Sequence, residues 1–235
     1  MKCTGAILAS WLKFSRSDNM EATVSLISYT PQPDALCSVA SKNCVSKEVP
    51  GFDMYANSLN TALESGHYSI LEHATFTFSI ENMTRVTLAQ FTRHRMASYA
   101  VKSQRYTSAK GVDYILPGRI IELLNSNDES FNKFDQYHTS LKVFLDNLID
   151  NKIPNEDIRY LFPEGTTTNM IVTMNGRELL HFFELRCCNK AQWEIRNIAK
   201  MMLKLVKEVA PIMFAKAGPP CVSGKCREKN PCGKA

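Results

Sequence analysis

Between Glu81 and Asp113 the chain carries no carboxylate, yet residues 93–106, RHRMASYAVKSQRY, place Arg93, Arg95, Lys102 and Arg105 within fourteen positions. The i,i+4 acids that usually neutralise a basic helix face are missing here. Like charges repel, so the cluster is costly unless an anion compensates it. Arginine offers a planar fork of donors that matches phosphate geometry and keeps its charge. Ser98 and Ser103, with backbone amides, supply the smaller donors that commonly complete an anion site.

Three readings of the basic stretch differ in what else they require. A solvated charged face needs only water and partial ion pairs. A nucleic-acid module needs cations spread along a stripe with exposed stacking aromatics. Here the cations gather in short segments together with hydroxyls and amides, which suits small anionic ligands, so no nucleic-acid partner is expected. The net charge of +5 over 235 residues agrees, since it favours anions without demanding a polynucleotide.

Hydrophobic residues make up 44% of the chain, enough for a sizeable core. No apolar run approaches the roughly 18–20 residues of a membrane span, so no membrane association is expected. The apolar stretch near the N-terminus is interrupted by Lys13 and Arg16, which argues against a secretory signal. Eight cysteines, two of them adjacent at Cys187 and Cys188, read as reduced thiols in a chain this long. A cytoplasmic location is expected.

Strand patterns occur at residues 22–29, 74–81 and 166–175, the second alternating Phe76, Phe78 and Ile80 with small polar residues. Helices are expected at 33–43, from about Asp53 to Glu64 with Gly66 as the stop, at 83–95, over much of 117–163, at 176–186 and at 191–209. Within 130–151 the apolar positions Phe131, Phe134, Tyr137, Leu141, Phe144, Leu145 and Leu148 share one face. Few strands separated by long helices imply an α/β or α+β fold: a compact central mixed sheet flanked by helices. The expected organisation is an N-terminal extension (1–20), a single domain (21–217) with a helical insert at about 117–160, and a Cys/Gly/Pro-rich tail (218–235). Gly176 is unexpectedly flexible for a helix start.

The spacing Arg93-His94-Arg95, seven residues, then Ser103-Gln104-Arg105 is more specific than charge density. Together with SGHYSILEH at 65–73 and RCCNKAQWEIRNIA at 186–199, it resembles the three ordered motifs of the flavin-dependent thymidylate synthases. The resemblance spans roughly residues 22–217. It implies a homotetramer with FAD at subunit interfaces. It also implies conversion of dUMP to dTMP, with 5,10-methylenetetrahydrofolate as carbon donor, NADPH as reductant and tetrahydrofolate as product.

Residue roles follow from the resemblance where the motifs match. His67, Ser69, Arg93, His94, Arg95, Asn175, Arg177 and His181 would hold FAD, with His67 also near the folate. Gln90, Arg93, Ser103, Gln104, Arg105, Arg159 and Arg186 would hold dUMP. Arg186 is the expected catalytic residue, a guanidinium set against the uracil N3/O4 edge. Ser103 reads as a phosphate donor rather than a nucleophile, because its neighbours Lys102 and Arg105 are not bases. Val101 stands where many relatives carry a glutamate, and Lys102 adds a charge beside the expected phosphate.

Three alternatives concern metals and thiols. His67, Glu72 and His73 lack the one-face spacing of a zinc helix, so no metal is expected there, and His73 reads as a core residue. Cys187 or Cys188 could become a nucleophile near Arg186 and Lys190, but small buried groups are the expected role. The tail's Cys221, Cys226 and Cys232 are one ligand short of a closed zinc site.

Overall fold

The computed structural model describes residues 21–107, 113–224, 226 and 228–232. The chain divides into two compact units. One comprises Ala22–Met83, Thr87–Val101 and the described residues from Asn169 onward. The other comprises Thr84–Val86 and the described part of Lys102–Thr168.

The first unit is built on four strands: β1 (Thr23–Tyr29), β2 (Thr75–Thr84), β3 (Ala97–Val101) and β4 (Thr167–Asn175), in spatial order β1-β2-β4-β3. β1 pairs with β2 from Thr23 opposite Glu81 to Tyr29 opposite Phe76, with a register shift between Leu26 and Ser28. β3 pairs with β4 from Ala97 opposite Met174 to Val101 opposite Met170. Between β2 and β4, the Thr77 and Thr173 hydroxyls lie 2.9 Å apart, and Asn82 N–H donates to Asn169 Oδ1 at 3.0 Å. The two strands therefore run in opposite directions. The sheet is antiparallel, which corrects the expected mixed sheet. β3 does not join β2, the strand before it; it pairs with β4, which arrives late in the chain from the other direction.

One face of this sheet is apolar by alternation. Phe76, Phe78 and Ile80 of β2 and Met170, Val172 and Met174 of β4 are buried. Against that face pack α7 (Gly176–Arg186) and α8 (Trp193–Val209), through Leu179, Phe182, Phe183, Ile195, Ile198 and Met202. Phe214, just beyond α8, meets Phe76 edge-on at 5.4 Å and Phe183 at 5.9 Å. α1 (Pro33–Asn43), α2 (Ala56–Glu64) and a 3₁₀ turn at Tyr68–His73 complete this layer.

Two details fix the C-terminal part of the unit. Asp34, buried at the start of α1, accepts hydrogen bonds from Ile212 N–H at 2.8 Å and Met213 N–H at 3.0 Å. Burial pushes its carboxyl above the ordinary value, and the two amides oppose that shift. Gly176 is explained by space, not flexibility. A Cβ there would lie 2.6 Å from Met213 Sδ and 3.0 Å from Leu71 O, so only glycine lets α7 start this close to its neighbours.

The helix expected at 83–95 is shorter, α3 at Arg85–Phe91, and is followed by β3, a strand absent from the expectations. Ala97, Ser98 and Ala100 carry little strand propensity. Pairing with β4 and the Tyr99 hydroxyl, 2.7 Å from both Phe91 O and His94 O, override it. His73, expected in the core, is exposed; Ile70 and Leu71 of the same turn are buried instead.

The second unit holds α4 (Gly118–Ser126), α5 (Asp128–Asp150), α6 (Asn155–Ile158) and a 3₁₀ turn at Arg159–Leu161. Asn127 caps α5 by accepting from Ser130 N–H at 2.9 Å. α5 has no fully buried residue, and Tyr137 and Phe144 of its apolar face are exposed. The His138 ring packs against Tyr114 at 4.6 Å and Phe134 at 5.9 Å. Among the described residues, no helix is long and apolar enough to cross a membrane.

Asp34→Ala leaves the Ile212 and Met213 amides without their carboxylate. It is expected to lower unfolding stability by about 3 kcal/mol, measured by denaturant titration, with Asp34→Asn recovering part of the loss.

Candidate active site

α7 brings three residues of one helical face together, because Glu178, Phe182 and Arg186 are spaced four apart. His94 enters against that face from the loop that follows α3. Its ring is buried, lies 4.9 Å from Phe182 and 5.8 Å from His181, and is bonded at both nitrogens. Nδ1 is 2.9 Å from Glu178 Oε1, and Nε2 is 3.0 Å from Arg186 Nε.

The hydrogen-bond logic assigns the tautomer. A guanidinium only donates, so Nε2 must be the acceptor, and the ring proton sits on Nδ1, donated to Glu178. The charge state agrees. Burial holds the imidazole below its ordinary pKa, and the charges of Arg186 and His181 add to this against the pull of Glu178. A neutral His94 thus links a carboxylate to Arg186 without cancelling the guanidinium charge.

Arg186 ends α7, where the helix dipole favours a cation. Its Nη2 donates to Gln90 O at 3.3 Å. Two of its five N–H donors are therefore engaged, leaving three for a ligand. Burial, and Arg93 beside it, push its pKa down, yet a guanidinium stays charged at neutral pH. The Tyr99 hydroxyl, which fixes the backbone around His94, is pushed up to about 12 by burial and by Glu178. Arg186 is thus a half-buried cation held by neutral partners, an arrangement suited to stabilising negative charge that develops on a bound ring.

A cleft of about 790 Å³ lies along the exposed side of α7. Asn175, Arg177 and His181 line it, with Tyr68, Glu72 and Lys216. Asn175 caps α7 by accepting from Glu178 N–H at 2.9 Å, so only its amide group is left to face the cleft. Arg177 Nη1 is paired with Glu72 Oε1 at 2.6 Å. His67, Ser69, Arg93 and Arg95 are exposed and do not line this cleft. The RHR segment therefore splits: Arg93 and Arg95 face outward, and His94 faces the interior.

The other expected residues belong to the second unit. Ser103 begins a turn in which its carbonyl accepts from the Thr107 amide at 3.2 Å and hydroxyl at 2.6 Å. Its own hydroxyl accepts from Arg105 N–H at 3.2 Å. Arg105 holds Glu156 through Nε and Nη2, both at 2.9 Å. Its charge therefore has a partner fifty-one positions away, where the local sequence has none. Gln104 and Arg159 line a smaller cleft of about 400 Å³, together with Arg85, Tyr160 and Glu164.

Three residues were missed in the sequence. Glu178 had a signal, since Asn175-x-x-Glu178 is a capping pair at a helix start; here the Glu side chain reaches His94. Glu156 had none, because its partner is distant in sequence. Arg85 lies outside the motif. Conversely, most of the AQWEIR segment serves the scaffold. Gln192 Oε1 accepts from Glu194 and Ile195 N–H, Glu194 accepts from the Thr87 hydroxyl at 2.7 Å, and Arg196 donates to Asn189 O at 2.8 Å. Among the described residues, no cluster of His, Cys, Asp or Glu is arranged to hold a metal.

The family model described as "Thymidylate synthase complementing protein" matches residues 25–212. The chain is 39% identical over 224 residues to a flavin-dependent thymidylate synthase of Geobacter sulfurreducens, covering 90% of this chain and 94% of that one. It is 38% identical over 242 residues to a protein of the same name from Clostridium tetani, covering 94% and 96%. A third, from Pyrococcus horikoshii, is 40% identical over 220 residues, covering 88% and 90%.

The state of His94 makes stability depend on pH. Its folded pKa is lowered, so below about 6.5 the unfolded chain binds a proton that the folded chain resists. Stability is therefore present above that pH and is lost as pH falls toward the folded value, by at most about 1.4 kcal/mol per pH unit from this group. Glu178→Gln removes the acid that favours protonation, so its acid loss is expected to extend to lower pH. Urea unfolding of both proteins between pH 7.5 and 5 measures it; superimposable curves would contradict the assignment.

Proposed function

The chain belongs to the family of flavin-dependent thymidylate synthases, and from that membership we propose how its residues divide the work. The enzyme converts dUMP to dTMP, with 5,10-methylenetetrahydrofolate as carbon donor, NADPH as reductant and FAD as cofactor. FAD, when bound, supplies the redox step between NADPH and the transferred one-carbon unit.

Arg186 is the catalytic residue. Uracil C5 is a weak nucleophile, and it must attack an electrophilic carbon from the folate. A guanidinium at the N3/O4 edge stabilises negative charge as it spreads into the ring. The observation that carries this reading is Arg186 held by neutral His94 with three donors left over. His94 and Glu178 position Arg186 and do not themselves transfer a proton. Gln90 lies beside Arg186 through its carbonyl, which supports its place at the nucleotide. Ser103, Gln104, Arg105 and Arg159 bind dUMP, a role supported by the anion-compatible donors of this group and by the cleft between Gln104 and Arg159.

Asn175, Arg177 and His181 hold FAD. Their cleft has room for such a group, and Asn175, Arg177, His181 and Lys216 offer it donors set among the carboxylates Glu72, Glu178 and Glu184. His67, Ser69, Arg93 and Arg95 complete the cofactor site, with Arg93 reaching the nucleotide as well, while buried His94 serves it only by holding Arg186. These four are exposed outside their own chain's cleft, which supports a site finished by a second subunit. The proposed assembly is accordingly a homotetramer with FAD at its interfaces, working in the cytoplasm. Residues 21–217 serve as its single catalytic domain, with 117–160 as a helical insert, 1–20 as an extension and 218–235 as a tail.

Arg186→Ala is expected to keep its yellow colour while dTMP formation falls by ~10² or more. Anaerobic turnover with dUMP, methylenetetrahydrofolate, FAD and NADPH, beside the flavin absorbance of the purified variant, provides the check. Undiminished turnover would remove Arg186 from the mechanism.

A further inference from the structure

A third cleft, of about 320 Å³, is lined by Cys187, Cys188, Cys221, Cys226 and Cys232, with Lys200, Lys207 and Glu228 on its wall. Five of the chain's eight cysteines therefore share one small space. They come from two segments distant in sequence. Cys187 and Cys188 follow the end of α7, and the other three lie in the tail, Cys221 within the short helix α9 (Pro220–Ser223). Asn189 Nδ2 lies 3.6 Å from Cys232 Sγ, which brings the tail against the residue next to Cys188.

The thiols are not equivalent. Cys187 is buried, and burial pushes its thiol up to about 12, so it is inert. Cys188 is half-buried, and its sulfur accepts from Lys190 N–H at 3.5 Å. Cys188 thus combines partial exposure with a place on the wall that the tail thiols share.

The same tail residues also border the cofactor cleft. Ala217 and Gly218 line both cavities. Pro220 and Gly224 face the larger one, while Pro219, Cys221 and Val222 face the smaller. Residues 217–224 are thus a thin partition with the candidate flavin cleft on one side and the thiols on the other.

We propose that this cleft is an oxidisable latch, in which a disulfide between Cys188 and a tail cysteine pins the partition and so controls flavin exchange. The effect on flavin rests on the cofactor reading above; the disulfide does not. The oxidant is a small-molecule disulfide. The Cys188 thiolate attacks one of its sulfurs, giving a mixed disulfide and releasing one thiol. The tail thiolate then attacks the Cys188 sulfur, releasing the second thiol. One protein S–S bond forms, one S–S bond of the oxidant breaks, and the two protons of the protein thiols leave on the released pair. Reduction by a dithiol reverses the sequence.

The test uses the full chain, loaded with FAD and treated with oxidised glutathione or with dithiothreitol. Peptide mapping without reduction is expected to find Cys188 joined to Cys221, Cys226 or Cys232 of the same chain. Hydrogen exchange of residues 217–224 should slow on oxidation. FAD release, followed by flavin fluorescence after dilution, should slow by at least about fivefold. Cys188→Ser should show none of these responses to oxidant. A bond only between subunits, a mixed disulfide only, or a formed bond with unchanged exchange at 217–224 would each overturn the latch. Failure of the reduced protein to bind FAD would count against the cofactor reading instead, while the mapping and hydrogen exchange would still decide the latch.

Discussion

A neutral imidazole donating to one acid and accepting from one guanidinium is the interaction on which this site depends. His94 can play that part only if it is buried, because an exposed ring at neutral pH would exchange both partners for water. Burial in turn needs β3 and the Tyr99 hydroxyl to hold the backbone after α3, and it needs Phe182 as the ring's apolar floor. Those elements exist because the sheet face of β2 and β4 gives α7 something to pack on. The polar relay at the surface of α7 thus rests on the apolar side of the same helix. Had Arg186 been paired directly with Glu178, the carboxylate would have cancelled its charge. Inserting His94 keeps the arm rigid and the charge intact.

The same economy of roles runs through the motifs. In RHR, the middle residue supports and the outer two are presented to solvent. In the segment from Arg186 to Arg196, the first residue is free to meet a ligand, while Gln192, Glu194 and Arg196 cap a helix, fill a buried polar position and brace a loop. A motif can therefore mark a family although most of its side chains are engaged within the scaffold. Asn175 does both, capping α7 with its oxygen and presenting its amide to the cleft.

Much of the architecture was legible as pattern. α1 and α7 run over the expected residues, and the alternation at Phe76, Phe78 and Ile80 identified the buried face of β2. β3 was not legible, because Ala97, Ser98 and Ala100 acquire strand geometry only from β4, some seventy residues later. The direction of the sheet was not legible either, since it depends on which strands become neighbours. His73 looked like a core residue beside apolar Ile70 and Leu71, but a tight 3₁₀ turn sends its side chain outward.

The sequence by itself determined that this charged segment has no local acids, and its three ordered motifs carry the resemblance to the family. Which of those residues find partners within the chain was decided only by tertiary structure. Glu156 and Glu178 neutralise or orient basic groups from fifty-one and eighty-four positions away, and no local rule reaches that far. Charge is a property of residue type and is visible in a string of letters. Compensation, burial and tautomer are properties of neighbours, and neighbours exist only once the chain has folded.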